Sequence, residues 1–110
     1  MSVQIHTTKE SNGTIVQLQG RVDATSAPSV EQALAGVIDQ GEKRLVIDCA
    51  GLEFISSAGL RSLLLAVKKM KASGGVIALA ALQSNVKEVF DISGFSALFT
   101  IHAATADALK

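Results

Sequence analysis

Leu45-Val46-Ile47, then Ser57-Ala58-Gly59-Leu60 running on to Met70, then Ser73-Gly74-Gly75 and Val76-Ile77-Ala78-Leu79, is the stretch whose reading decides the fold. The first run is short, aliphatic and flanked by polar residues, the pattern of a strand covered on both faces. Phe54-Ile55 leads into a helix beginning about Ser57, in which Leu60, Leu63, Leu64, Val67 and Met70 share one face. Arg61, Lys68, Lys69 and Lys71 lie away from that face or near the end, where lysines suit the negative pole of the helix. Ser73-Gly74-Gly75 stops it, with a glycine available for a left-handed cap. Val76 to Leu79 is the next buried strand. A strand, a helix and a second strand in this order predict a parallel pair joined by a crossover.

On the N-terminal side, Val3 to Thr8 and Thr14 to Leu18 alternate apolar and polar residues around Ser11-Asn12-Gly13. Two antiparallel strands with a tight Asn-Gly turn are expected there. Gly20 to Thr25 reads as a loop. A first helix should start near Ser26, with the Ser26 hydroxyl as N-cap and Pro28 in the first turn. Its apolar face is Val30, Leu34, Val37 and Ile38, and Gly41 ends it. On the C-terminal side, Asn85 to Ile92 is a short helix closed by Ser93-Gly94. Phe99 to His102 is a last strand, and Ala104 to Leu109 a weak terminal helix. The expectation is one α/β domain over residues 1–110, with a mixed sheet and helices on at least one face.

Composition narrows the function. The chain has 110 residues, with Lys plus Arg and Asp plus Glu both at 10, so it offers no excess charge for a nucleic-acid backbone or an anionic membrane. At 48% hydrophobic and 18% charged it is too apolar for a disordered segment. Four Phe and no Trp or Tyr argue against base-stacking platforms and against sites built on Trp and Tyr faces. The single cysteine excludes an intramolecular disulfide and a cysteine-built zinc site. Met1-Ser2-Val3-Gln4-Ile5-His6 has no basic run followed by an apolar core, so no signal peptide is expected. No apolar run reaches the roughly 18 residues of a membrane span. These features lead to the expectation of a small cytoplasmic domain without membrane insertion; a monomer that needs no cofactor or metal is expected.

Enzyme chemistry has thin support. His6 and His102 fall in predicted strands near opposite ends of the chain, without ligand partners at i+3 or i+4. There is no G-x-S-x-G and no G-x-x-x-x-G-K-[ST]. Cys49 reads as a small buried thiol. Asp23 and Asp48 are the carboxylates at strand or loop ends that are candidates to converge; both read equally as solvated turn residues, the better reading for Asp48. A hydrolase using Ser57 lacks a visible base or oxyanion partner. The unusual stretch is Phe54-Ile55-Ser56-Ser57-Ala58-Gly59-Leu60, where two hydroxyls sit between a strand and an amphipathic helix. Either Ser56 or Ser57 serves as N-cap, worth about 1 kcal/mol. A cap needs only one hydroxyl. Ala58 and Gly59 leave the site small and open, and a helix N-terminus accepts a phosphate without strain.

Six stretches in order give the chain its resemblance to a known family. Ile15 to Asp23 resembles a strand followed by G-[ER]-[LIV]-D; next come Ser26-Ala27-Pro28 and Leu45-Val46-Ile47-Asp48. The serine stretch resembles F-[MI]-D-S-[ST]-G-L, with Lys71 to Gly75 as its helix-ending K-x-x-G-G, and Phe90 to Phe95 resembles F-[DE]-[ILM]-[ST]-G-[LF]. Together they resemble the STAS domain of the anti-sigma factor antagonist family. That resemblance implies a mixed sheet of four or five strands, an N-terminal hairpin followed by parallel strands, flanked by four or five helices. It implies no enzymatic activity and a partner-switching role. The unphosphorylated form would bind an anti-sigma factor that is also a serine kinase of the histidine-kinase-like ATPase fold, freeing the sigma factor. Phosphorylation would release the partner, and a metal-dependent serine phosphatase would reset the cycle.

The motif places the phosphoacceptor at Ser57, with Ser56, which stands where the family has Asp, as second choice. Ala58 stands where the family has a second hydroxyl. The implied partner-binding residues are Ser56, Ser57, Ala58, Gly59 and Arg61, with Gly20, Asp23 and Ser26 beside them. The alternative is a non-switching STAS subunit that binds a transporter ATPase.

Overall fold

The computed structural model describes residues 3–109. Met1, Ser2 and Lys110 lie outside the described residues, and with them part of the signal-peptide reading and the ends of the 1–110 span. The elements are β1 (Val3–Glu10), β2 (Gly13–Val22), α1 (Ala27–Asp39), β3 (Arg44–Ile55), α2 (Ser57–Ala72), β4 (Val76–Ala80), α3 (Ser84–Ser93), a 3-10 turn (Phe95–Leu98), β5 (Ile101–His102) and α4 (Thr105–Ala108). They build a five-stranded sheet in the order β1-β2-β3-β4-β5, antiparallel at β1–β2 and parallel thereafter. This is the expected α/β architecture, a hairpin followed by parallel strands.

One face of the sheet carries the main core. Val16, Leu18, Leu45, Ile47 and Leu79 pack there against α1 through Val30, Leu34, Val37 and Ile38. In the same core, α2 contributes Leu60, Leu63, Ala66 and Met70, and α3 contributes Val86 and Phe90. Each of the larger of these side chains contributes about 1.5–3 kcal/mol when fully buried, so the apolar stripes fix how the helices lie. The other face is covered only in part, where Ala108 and Leu109 of the C-terminal segment pack on Val46, Ala78, Ala80 and Ile15. Asn12 and Arg44 clasp that segment by donating to the Leu109 carbonyl at 2.7 and 3.1 Å.

Four elements differ from the sequence expectation, among them the last strand, which keeps only Ile101–His102 of Phe99 to His102 after the 3-10 turn at Phe95–Leu98. The hairpin turn is Ser11–Asn12, and Gly13 already pairs with Glu10 inside the ladder. β2 runs on through Gly20, Arg21 and Val22, so Gly20 is a strand residue and the loop shrinks to residues 23–26. β3 extends from the predicted Leu45-Val46-Ile47 core to Ile55, taking Asp48 and Cys49 into the strand. The cause is pairing: β2 and β3 stay parallel from Thr14↔Leu45 to Val22↔Ile55, with two register shifts that each place one extra residue on β3. Such bulges reverse the in–out alternation and hide a strand from pattern reading. β4 stops opposite Asp48. Beyond it, the Gln83 and Asn85 amides donate to the Ala50 and Glu53 carbonyls, both at 2.8 Å, and so satisfy backbone groups that β4 no longer reaches. Asp48 is accordingly not a turn residue. It accepts the Ala50 N–H at 3.0 Å and lies 3.4 Å from the Gln17 amide.

Candidate functional site

At the C-terminal end of β3 the chain leaves the sheet and enters α2 at once. The Ser56 N–H donates to the Val22 carbonyl at 2.8 Å, which pins the helix start to the end of β2. Ser56 has extended backbone (φ −92°, ψ 175°), and its Oγ accepts the Gly59 N–H at 3.2 Å. This is the geometry of an N-cap. The structure thus assigns the cap to Ser56, which replaces the motif's Asp with a neutral hydroxyl. Ser57, the first residue of the helix, is exposed and its hydroxyl makes no hydrogen bond among the described residues. Two serines that look equivalent in sequence therefore differ: one is engaged, the other free.

Ala58 is half-buried and packs against the core edge. Gly59 is buried, and a Cβ there would sit 2.7 Å from Ile55 Cγ1, 2.8 Å from Val22 Cγ1 and 3.0 Å from the Val22 carbonyl oxygen. The expectation of Gly59 as part of an open surface is therefore corrected: its missing side chain lets α2 approach the ends of β2 and β3. Arg61 is exposed one turn beyond Ser57 and has no ion pair among the described residues.

The segment after β2 lies beside this turn. Gly20 takes φ +99° next to the second register shift, a conformation that a side chain would strain. The Arg21 guanidinium sits 4.2 Å from the centre of the Phe54 ring, a cation–π contact on the surface leading to Ser56. Nothing in the sequence spacing announces that pair, because the two residues meet only through β2–β3 register.

Ser26 does not cap α1 with its hydroxyl. Its backbone is already helical (φ −96°, ψ −16°), so Oγ turns back to accept the Asp23 N–H and donate to the Arg21 carbonyl, both at 3.0 Å. Asp23 Oδ1 instead accepts the N–H groups of Thr25 and Ser26 at 3.0 and 3.1 Å. The Ser26 N–H, above all, holds the Asp23 carboxyl below its usual range, assisted by the Ser26 hydroxyl, the Thr25 N–H and the Arg21 charge against partial desolvation. Gly20, Asp23 and Ser26 thus brace the shape of the loop beside α2.

The remaining titratable residues do not join this site. Asp48 is seven residues back along β3 from Ile55, at the level of Gln17 in β2, so it does not converge with Asp23. His6 and His102 lie on opposite edge strands, in one row through Gln17, Asp48 and Ala80. Four strand spacings separate them, roughly 19 Å, too far to share a metal. Cys49 is fully buried, and burial, with the Asp48 charge adding to it, pushes its thiol up to about 12.

A family model described as STAS domain matches residues 4–108. The chain is 44% identical over 87 residues to BtrV of Bordetella bronchiseptica, provisionally named an anti-sigma factor antagonist, covering 79% of this chain and 75% of that protein. It also superimposes, with TM-score 0.89 and 26% identity, on an anti-sigma factor antagonist from Mycobacterium paratuberculosis, covering 98% of this chain and 92% of that one. The antagonist SpoIIAA, solved in unphosphorylated and phosphorylated forms, shares the fold at TM-scores of 0.80 and 0.72 with 18% and 19% identity, over 93% and 96% of those chains and 96% and 97% of this one.

Proposed function

Since the chain belongs to the STAS domain family, we propose that it is an anti-sigma factor antagonist whose docking is switched by phosphorylation of Ser57. The observation that supports this reading is the division of labour between the two serines. Ser56 is held as the N-cap, whereas Ser57 is exposed with a free hydroxyl at the start of a sixteen-residue helix. The unmodified protein binds an anti-sigma factor that is also a serine kinase, over the surface of Ser56, Ser57, Ala58 and Arg61, with the 20–26 segment beside it. In the kinase, Ser57 Oγ attacks the γ-phosphorus of ATP. The new Oγ–P bond forms as the bond to the β-phosphate oxygen breaks, ADP leaves, and the serine proton passes to a base of the kinase. A metal-dependent phosphatase restores the serine by hydrolysis, releasing inorganic phosphate.

The release step is electrostatic. A phosphate adds about −1.5 to −2 charges at neutral pH. At the first turn of α2, where there is no acidic side chain, that charge is locally favourable. A partner fitted to the unmodified serine must now accommodate a dianion for which it has no prepared pocket, which is costly. The domain keeps its fold while the complex is lost.

Incubation with a kinase-type anti-sigma partner and ATP, read by intact mass and phosphopeptide mapping, tests this. Ser57→Ala should abolish the mass gain and Ser56→Ala should not. Ser57→Asp should keep the thermal midpoint and weaken the partner complex strongly. Mapping to Ser56 would overturn the residue assignment. No mass gain in a folded protein would favour the non-switching subunit of a transporter ATPase.

A further inference from the structure

Ser57 and Arg61 stand one turn apart on the continuous helix α2, and both are exposed. Residues at this spacing have Cβ atoms about 6 Å apart, and an anion preceding a cation by four is the favourable order along a helix. Of the other cations near the helices, Lys68 and Lys71 lie about three to four turns further along α2, away from Ser57. Lys69 pairs with Asp39 at 2.9 Å, Lys87 with Asp91 at 3.2 Å, and Arg21 lies over Phe54. Arg61 has no carboxylate partner among the described residues. The charged groups on the elements packed against this part of α2 are Arg21 at the end of β2 and Asp23 just after it, Glu53 on β3, Glu31 on α1, which lines a groove with Ser62 and Leu65, and Arg61 itself. Asp23 is committed to the N–H groups of its own loop. Ser56, the cap, is neutral, and the first turn of α2 carries no acidic side chain.

We propose that Arg61 is the internal counter-ion of the Ser57 phosphate, drawn onto it by paired N–H donors when the serine is modified; this rests on the reading of Ser57 as acceptor. A guanidinium suits the task because its fork matches two phosphate oxygens at once. The consequence for switching is twofold. Phosphorylation adds an anion to the docking surface, and it also withdraws from that surface the cation that stands free in the unmodified protein. Both changes act against a partner fitted to the unmodified form.

The test uses the full chain with phosphoserine placed at position 57 during translation by an expanded genetic code, so that no kinase is needed. Phosphorus NMR then follows the second ionisation of the phosphate in the parent, in Arg61→Gln and in Arg61→Lys. The parent should titrate below the value of about 6 for free phosphoserine. Arg61→Gln should raise it by roughly half a unit, Arg61→Lys should fall between, and added salt should shrink the difference. An Arg61→Gln protein that titrates where the parent does overturns the proposal. Because the phosphate is installed by translation, that result leaves the kinase reading standing. Conversely, kinase mapping to another residue overturns that reading without touching the titration.

Discussion

Gly59→Ala measures directly how closely α2 approaches the sheet beneath Ser57. An added Cβ would lie 2.7 Å from Ile55 Cγ1 and 2.8 Å from Val22 Cγ1, contacts that require those atoms to shift. The third contact, 3.0 Å to the Val22 carbonyl oxygen, is with backbone, and that same oxygen holds the Ser56 N–H at 2.8 Å. Relief by sliding the helix would therefore loosen the bond that starts it. Overpacking of this kind costs about 1–3 kcal/mol, while Ala in place of Gly in a helix returns up to about 1 kcal/mol. The net expectation is a loss of about 1–2 kcal/mol, or a midpoint lowered by roughly 5–10 °C in a domain of this size. Gly36→Ala is the matched control. Gly36 is exposed within α1, and a Cβ there meets nothing within 4 Å, so the same substitution should stabilise by up to about 1 kcal/mol. Urea unfolding of both variants, with the slope checked for constancy, gives the two values. A Gly59→Ala protein as stable as the parent would refute the close-approach account of this position.

Ser56→Ala should cost about 1 kcal/mol through loss of the cap, and Ser57→Ala should change stability by less than about 0.5 kcal/mol, both by denaturant titration. Equal effects would contradict the assignment of the cap. Asp23, Glu42 and Asp91 have carboxyls held below their ordinary range, chiefly by the Ser26 N–H, the Thr14 hydroxyl and the Ser96 hydroxyl respectively. Depressed folded values mean stability that is complete above the ordinary carboxylate value and lost as pH falls through the folded one. The midpoint should thus be level from neutrality to about pH 5 and fall below about pH 4; a rise on acidification would contradict this. Cys49, buried with its thiol near 12, should resist an aromatic disulfide reagent at neutral pH until urea unfolds the chain. Prompt labelling of the native protein would show that the strand opens.

Much of this architecture is legible in local pattern. The faces Val30-Leu34-Val37-Ile38 and Leu60-Leu63-Val67-Met70 are written at helical spacing, and both are buried in the structure. Gly74 and Gly94 take the positive φ expected of glycines that close helices. The alternation on either side of Ser11-Asn12-Gly13 marks the hairpin, although the Asn-Gly rule puts the turn one residue late. The serine stretch, too, stands out as a strand-to-helix junction with one hydroxyl more than capping needs.

By itself, then, the sequence determined the order and type of the elements and the neighbourhood of the candidate site. Each of those is set by residues within a few positions of one another. Only the tertiary structure decided how far β3 runs, because its second half is held by register with β2 and by the Gln83 and Asn85 amides rather than by its own alternation. It likewise decided that Gly20 belongs to a strand, that Gly59 is a packing residue, and that Arg21 stacks on Phe54. It also decided which serine is tied: the Val22 carbonyl, 34 positions back, catches the Ser56 N–H. That contact sets extended backbone at Ser56, turns its hydroxyl onto Gly59 and leaves the hydroxyl of Ser57 facing solvent.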